Sequence, residues 1–306
     1  RLRMQVQTTS RRRSSRLAAA VAVIVVGVLA LAGCGGGTDG TAKRAAPQPP
    51  KRCTAAECPE LPVYSQKRLD PSGVTAANSN ETVPAYMTEV LDDLDATWQE
   101  WFAQLNIEGI SPGRELIAPG SSFTSECAEP GEPALTSDFP NAFFCPVDEL
   151  PDGVGVKRKG SIILPVETFA EIWQGKLLGS KGVMLGDFTA ATIIAHEYGH
   201  NVMWRLMDAY KMSESQLPTG NDPELLADCF AGNWAATVFA RKDLSLKEIA
   251  QAAALVISVG DPAPNQGHGT SFERIRALTR GFMENFSSQG QPLTCLKNYW
   301  PGVLGS

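Results

Sequence analysis

Residues 192–203 read TIIAHEYGHNVM, in which two histidines and a glutamate interrupt an otherwise apolar run. On a helix, residues four apart project from one face a turn apart, so the rings of His196 and His200 can converge on one ion. Glu197 then stands beside that ion without binding it. Gly199 costs such a helix up to about 1 kcal/mol relative to alanine, which indicates a close approach by another element. The stretch therefore predicts a buried helix that carries a metal site.

A downstream segment offers the remaining ligand. Zinc suits two neutral imidazoles plus a carboxylate, with the fourth position left to water. Glu224 follows His200 by 24 residues in the sequence ELLAD, and Asp228 comes one helical turn later. Asp228 can accept the outer N–H of a ligating histidine and fix its tautomer. The pattern predicts one Zn²⁺ per chain, held by His196, His200 and Glu224. We expect Glu197 to act as the general base that takes a proton from the zinc-bound water.

Two further residues compete for roles at this site. Cys229 is a rival ligand, because peptide deformylases combine a similar histidine motif with a zinc-binding cysteine. In that family the cysteine precedes the histidines, and an exported cysteine is expected to be oxidised, which favours Glu224. His268 lies on the Gly-flanked loop QGHGTS. From the residues alone, it is either an exposed surface histidine or a hydrogen-bond donor to a developing oxyanion.

The N-terminus has the layout of an export signal. Six arginines precede the first acidic residue, and the uncharged run Leu17–Gly33 follows them. The sequence LAGC at 31–34 resembles a bacterial lipobox, which makes residues 1–33 a signal segment and Cys34 the lipidation site. An uncleaved transmembrane anchor is the alternative, since this run is near the minimum length that spans a bilayer. Either interpretation predicts a protein anchored to the cell membrane, with its main domain on the extracytoplasmic side.

Charge and cysteine content agree with that location. The net charge of −6 becomes −12 without the arginines of residues 1–33, which argues against nucleic acid as a partner. A protein or peptide substrate is the expected partner. Six cysteines remain besides Cys34, an even number that suits three disulfides in an exported chain. Six cysteines allow 15 sets of pairs. Cys53 with Cys58 is the local choice, Cys127 with Cys145 brackets one segment, and Cys229 with Cys295 is the pair that remains.

The rest of the chain divides into a tether and one domain. Residues 34–80 are rich in Gly, Pro and Thr and predict a disordered tether. Residues 81–306 form the predicted domain. The full chain has 43% hydrophobic residues, which is enough to bury a sizeable core. Helical spacing predicts a long amphipathic helix from Pro84, and helices at Val166–Gln174, Asp187–Asp208 with Asp187 as N-cap, 224–242, Leu244–Val259 and 271–286. Short strands are predicted near Arg114–Ile117, Phe143–Cys145 and Ser161–Leu164.

Four segments together resemble the bacterial neutral zinc metallopeptidase family. They are AFFCP at 142–146, HEYGHNV at 196–202, ELLADCFAGNWA at 224–235 and HGTSFERIRALTRGF at 268–282. The resemblance covers roughly residues 85–300. It implies an α+β, zincin-like metallopeptidase domain, mostly helical with a small sheet, in a membrane-associated or lipid-anchored protein. It also implies the ligand set given above and favours His268 as a catalytic residue. The chain departs from the family at Met203, where a glutamine is expected, and at residues 150–160, which look like an insertion.

The resulting expectation is a membrane-tethered zinc endopeptidase. Two alternatives stay open. One is a non-catalytic, zinc-containing envelope lipoprotein that acts as a binding or scaffold protein, although a purely structural site normally has four protein ligands and this pattern supplies three. The other is a zinc hydrolase that acts on cell-wall amides.

Overall fold

The computed structural model describes residues 48–176, 186–245, 247, 248, 250, 251, 254, 267–285 and 288–306. Four predictions lie wholly or partly outside these residues: the signal segment 1–33, the lipidation site Cys34, residues 35–47 of the tether and most of the helix Leu244–Val259. Among the helices within the described ranges, none is long and apolar enough to cross a bilayer.

Helix α1 (Ser79–Gln104) supplies much of the hydrophobic core. The predicted amphipathic helix is confirmed, because its aromatic residues Trp98, Trp101 and Phe102 are all fully buried. The ring of Trp98 meets that of Phe230 edge-on, with 5.3 Å between centroids. The helix begins at Ser79, five residues before the predicted start at Pro84. The proline therefore lies inside the helix and not in its first turn.

Seven strands form three small sheets in the described chain. They are β1 (Gly113–Ile117), β2 (Ser122–Phe123), β3 (Leu135–Thr136), β4 (Phe143–Pro151), β5 (Lys157–Pro165), β6 (Met283–Asn285) and β7 (Ser288–Gln289). The main sheet has the order β1-β5-β4, in which β1 runs parallel and β4 antiparallel to β5. The other two sheets pair β2 with β3 and β6 with β7. β4 is therefore an edge strand of the main sheet.

The three predicted strands are confirmed. β1 begins one residue earlier than predicted, and β4 and β5 are longer by several residues. β4 and β5 continue past their apolar parts into a hairpin, so residues 150–160 are its tip and strand ends. Asp152 organises the tip, since its carboxylate accepts hydrogen bonds from the N–H groups of Val154 and Val156 and from Arg158 Nε. Polar, glycine-rich residues here reflect a turn.

Five more α-helices whose two ends both lie among the described residues follow the main sheet. They are α2 (Val166–Gln174), α3 (Asp187–Ala209), α4 (Asp222–Ala240), α5 (Ser271–Phe282) and α6 (Pro292–Tyr299). The predicted bounds of α2 are confirmed, and those of α3 differ by one residue. Thr270 and Glu273 form a capping box at the start of α5. α5 ends at Phe282 rather than near Phe286, because the chain turns there into β6.

The predicted N-cap of α3 is wrong. Gly186 occupies the cap position, and Asp187 is the first helical residue. The Asp187 carboxylate accepts hydrogen bonds from the backbone N–H of Ser72 at 2.7 Å and from Trp173 Nε1 at 3.1 Å. Asp187 thus joins the start of α3 to α2 and to the segment that precedes α1.

Three disulfides connect the pairs that the sequence predicts. Cys53 is bonded to Cys58, Cys127 to Cys145, and Cys229 to Cys295. The last bond joins α4 to α6 and is fully buried. Together with the helices and small sheets, these pairs confirm a disulfide-stapled α+β domain.

Residues 48–78 pack against the domain, which differs from the disordered tether predicted for 34–80. Leu61 and Leu69 are buried in the common core. Arg68 lies 3.2 Å from Asp93 of α1, and the carboxylate of Asp243 accepts the backbone N–H groups of Arg68 and Leu69. Composition hides this packing, because only isolated apolar side chains of the segment are buried.

Glycines allow α3, α4 and α5 to pack backbone against backbone. A Cβ on Gly199 of α3 would lie 2.8 Å from Ala227 Cα of α4. At the other crossing, a Cβ on Gly232 of α4 would overlap the carbonyl of Leu278, and one on Gly281 of α5 would overlap the carbonyl of Cys229. The close approach predicted at Gly199 is confirmed, and these crossings place one helix on each side of α4.

Candidate metal centre

Two histidines of α3 and one glutamate of α4 meet where these helices cross. The rings of His196 and His200 lie nearly perpendicular, with centroids 4.9 Å apart. Glu224 faces both rings from the first turn of α4: its Oε2 is 3.2 Å from His196 Nε2, and its Oε1 is 3.5 Å from His200 Nε2. In the described parts of the chain, these three residues form the one group with metal-ligand geometry, and its ligand atoms all lie within 4.8 Å of one another.

The group fits a zinc ion by its donors and by its spacing. Two imidazole nitrogens and one carboxylate form the usual protein ligand set of an open zinc site. Ligands about 2.0–2.1 Å from a tetrahedral zinc stand about 3.3–3.5 Å from one another. The two distances from the Glu224 carboxylate, 3.2 and 3.5 Å, are close to these values. The sequence-predicted ligands are therefore the residues that this geometry brings together.

Asp228 lies one turn beyond Glu224, beside the outer nitrogen of His196. Its Oδ1 is 2.8 Å from His196 Nδ1, and the carboxylate is buried. With Nδ1–H donating to Asp228, the Nε2 lone pair of His196 points to the metal position. Burial raises the pKa of Asp228, but the neighbouring Arg274 and His196 outweigh this effect and hold the pKa below its ordinary value.

Arg274 contacts the same carboxylate, and the sequence interpretation assigned it no role. Its Nε is 2.7 Å from Asp228 Oδ2, and its NH2 group is 2.9 Å from Oδ1. A sequence signal for it exists, since Arg274 precedes Ala277, Leu278 and Gly281 at helical spacing and so shares their buried face. A lone arginine on a buried helical face needs an acidic partner.

Glu197 is buried next to the ligand group and is not part of it. Burial raises the pKa of its carboxyl group to about 7, with the charge of Glu224 adding to the rise and His196 opposing it. A hydrogen bond from the backbone of Phe144 also lowers this pKa. Phe144 belongs to β4, so the edge strand of the main sheet lies against the glutamate. The sequence had linked this strand to the site only through the family resemblance.

Opposite pKa shifts separate the two histidines. Burial lowers the pKa of His200 to about 4. Burial also lowers the pKa of His196, but the Asp228 carboxylate outweighs it and raises the value to about 10. For Glu224 the burial effect is outweighed by the nearby histidines, which hold its pKa well below the ordinary range. Glu224 is therefore an ionised carboxylate, as a metal ligand must be.

His268 lies at the rim of the site. Its side chain is 37% exposed, and its Nδ1 is 3.8 Å from Glu224 Oε2. The loop that carries it is attached to the start of α4, because Gly267 N–H donates to Asn221 Oδ1 at 3.2 Å. This placement is near enough for contact with a bound substrate, and the oxyanion role of His268 stays a prediction.

Two other residues singled out from the sequence lie away from metal chemistry. Cys229 follows Asp228 but is bonded to Cys295, so its sulfur is not available as a thiolate ligand. Met203, one turn beyond His200 on α3, is buried in the core. The departure from the family at this position therefore concerns packing.

Comparison with known proteins identifies relatives along most of the described chain. A family model described as "Putative neutral zinc metallopeptidase" matches residues 59–295. The "Uncharacterized protein Rv2575" of Mycobacterium tuberculosis (strain ATCC 25618 / H37Rv) is 30% identical over 245 residues, which cover 72% of each chain. The "Uncharacterized protein YpfJ" of Escherichia coli (strain K12) is 30% identical over 129 residues, 36% of this chain and 43% of that protein. No solved structure matches the chain.

Proposed function

The chain belongs to the neutral zinc metallopeptidase family, and from that premise we propose that it is a membrane-tethered zinc endopeptidase that acts outside the cytoplasm. One observation carries the enzymatic part of the proposal. His196, His200 and Glu224 present three ligand atoms to one point, and a fourth residue, the acidic Glu197, stands beside them without joining the group. A site with three protein ligands and an adjacent base suits hydrolysis.

The residues of the site divide the work of peptide hydrolysis. Zinc, when bound, polarises a carbonyl group and makes water a better nucleophile. Glu197 accepts the proton of the attacking water, for which its pKa near 7 is well suited. Because the same group is then protonated, it can return the proton to the leaving amine. His268 stands at the rim and donates a hydrogen bond to the oxyanion of the tetrahedral intermediate.

An extended peptide is the substrate that the surroundings of Glu197 favour. β4 is an edge strand of the main sheet, and its Phe144 lies next to the glutamate. Edge strands have unpaired backbone groups that can pair with another extended chain. A substrate strand beside β4 would pass the proposed catalytic base. The combination of a base on a helix and an edge strand beside it supports a zincin-like arrangement of the domain.

Features outside the metal centre support the proposed location. Three disulfides suit an oxidising compartment, and residues 1–34 have the layout of an export signal with a lipidation site at Cys34. Zinc metallopeptidase activity at the outer face of the membrane would act on envelope or secreted proteins. Labelling the chain with a radioactive fatty acid in bacterial cells, with Cys34→Ser as control, tests the anchor.

The decisive experiment for the enzyme separates metal binding from catalysis. We expect Glu197→Gln to retain about one zinc per chain and to lose cleavage of denatured protein, since it keeps the ligands and removes the base. His200→Ala should lose both. Equal cleavage by the parent and Glu197→Gln would contradict the proposal. Cleavage of muropeptides but not of proteins would instead support the cell-wall amide hydrolase.

A further inference from the structure

We propose that Arg274 is a positioning residue of the metal centre, which fixes His196 for metal binding through the carboxylate of Asp228. The inference rests on the zinc site of the proposed function. It concerns a residue that touches neither the metal ligands' donor atoms nor a substrate.

The contacts form a chain from α5 through α4 to α3. Arg274 Nε and NH2 hold the two oxygens of Asp228 at 2.7 and 2.9 Å. Oδ1 of the same carboxylate is 2.8 Å from His196 Nδ1. Two parallel hydrogen bonds from one guanidinium fix both the position and the plane of a carboxylate. The direction in which the His196 ring points is therefore set by Arg274 as well as by α3.

Burial makes this series of contacts between Arg274, Asp228 and His196 rigid. Arg274 and Asp228 are 8% and 2% exposed. Water thus has little access to replace the guanidinium if it is removed. The backbones of α4 and α5 are in contact at Gly232 and Gly281, so α5 cannot move closer to fill a gap. Loss of the two hydrogen bonds from Arg274 would leave the Asp228 carboxylate free to rotate away from His196 Nδ1.

A plain electrostatic effect of Arg274 has the opposite sign. Its guanidinium is a cation close to a site for a divalent cation, and its NH2 group is 3.5 Å from His196 Nδ1. Removing a like charge strengthens metal binding. Removing a positioning group weakens it, typically about tenfold for the residues around a ligating histidine. The sign of the change in zinc affinity therefore distinguishes the two roles.

The experiment measures zinc affinity of the full chain by competition with a chromophoric chelator. Arg274→Gln and Arg274→Lys are compared with the parent, each with Asp228 intact and with Asp228→Asn. Arg276→Gln is the matched control, because it removes an arginine from the exposed side of the same helix. Lysine keeps the charge but not the two-pronged geometry. We expect both Arg274 variants to bind zinc about tenfold more weakly and the control to be unchanged.

The Asp228→Asn background supplies the test of mechanism. In that background Arg274 has no carboxylate to position, so Arg274→Gln should cause no further loss of zinc affinity. The removal of its positive charge should instead raise the affinity. The chain has only three histidines. Nitrogen-15 spectra of the zinc-loaded protein should therefore resolve the Nδ1–H of His196, and that proton should exchange with water faster in Arg274→Gln than in the parent if its hydrogen bond to Asp228 is lost.

Each outcome has a clear meaning. Unchanged or tighter zinc binding by Arg274→Gln with Asp228 intact overturns the inference. If that variant does not fold, Arg274→Lys carries the same comparison, because it keeps the charge and loses the two-pronged geometry. A parent that binds no zinc contradicts the proposed function. A parent that binds zinc and cleaves protein, with no change in the Arg274 variants, contradicts this inference alone.

Discussion

Gly199 of α3 lies directly against Ala227 of α4, and a Cβ at position 199 would come within 2.8 Å of both the Cα and the carbonyl oxygen of Ala227. His200 adjoins this glycine, and Glu224 lies one turn before Ala227. The crossing of the two backbones is therefore what places the histidine and the glutamate at ligand distance. The geometry of the site depends on the missing side chain at residue 199.

Gly199→Ala should separate α3 from α4 and weaken the site. The added methyl group meets backbone atoms, which cannot rotate away as a flexible side chain can. We expect a loss of about 1–3 kcal/mol in the free energy of unfolding, as for other overpacked cores. Zinc affinity should fall with it. Urea unfolding and zinc titration of the full chain measure both quantities.

Gly302→Ala is the control for that substitution. Nothing lies within 4 Å of a Cβ at Gly302. Its stability and zinc affinity should match those of the parent. Normal zinc binding by Gly199→Ala would show that the helix crossing does not set the ligand spacing.

Much of this arrangement follows from local sequence patterns. The α3 helix, the ligands on it and the capping box of α5 are local features, because helical periodicity and caps involve residues a few positions apart. The ligand pair His196 and His200 needs only one turn of helix. Glu224 needs one further assumption, that its helix packs on α3, and Gly199 supports it.

The parts that the sequence did not reveal depend on distant contacts. The buried face of α5 indicates that Arg274 needs an acidic partner, but that partner, Asp228, is 46 residues away and local patterns do not identify it. α6 is short and begins with Pro292, so its few apolar residues give little periodic signal. Residues 48–78 are held by long-range contacts such as Arg68 with Asp93 and the N–H of Leu61 with Gln291 Oε1. Composition predicts disorder in such a segment because it does not register these long-range partners.

Zinc should stabilise the folded protein through its three ligands. A ligand that binds only the native state raises the free energy of unfolding by about 2.7 kcal/mol when its free concentration is a hundred times its dissociation constant. We expect a chelator to lower the melting temperature of the parent and added zinc to restore it. In His200→Ala the melting temperature should not respond to zinc. An equal response of both proteins would place the metal elsewhere.

The hairpin of β4 and β5 should lose stability in acid through Asp152. Burial raises the pKa of this carboxyl group, but hydrogen bonds from Arg158 and from the N–H groups of Val156 and Val154 outweigh it, and the net pKa is lowered. A group whose pKa is lower in the folded state stabilises the protein above its unfolded pKa, about 3.9 for aspartate. That stabilisation disappears as the pH falls through the folded pKa.

Asp152→Asn isolates this effect. The Arg158 side chain is partly exposed, so the ion pair is screened by water and the cost at pH 7 should be about 1 kcal/mol or less. The difference in unfolding free energy between parent and variant should shrink as the pH falls below about 4. Urea unfolding at pH 7 and at pH 3 measures it, and the other acid-sensitive groups cancel in the comparison. A difference that grows in acid would contradict the assignment.

Asp93 and Asp92 are neighbours on α1 with very different surroundings, and they give a matched pair for the last prediction. The buried Asp93 accepts hydrogen bonds from Trp234 Nε1 at 2.8 Å and from both terminal nitrogens of Arg241 at 3.0 Å. Asp92 pairs with Arg114, but its side chain is 60% exposed. Asp93→Asn leaves the buried Arg241 paired with Asp243, so the cost should exceed about 1 kcal/mol but stay below the about 3–5 kcal/mol of a buried charge without a partner. Asp92→Asn should cost less than about 1 kcal/mol.

Because Asp93 also contacts Arg68, Asp93→Asn should expose residues 64–70 to faster hydrogen exchange. Similar costs for the two variants would show that the Asp93 network does not hold this segment in place.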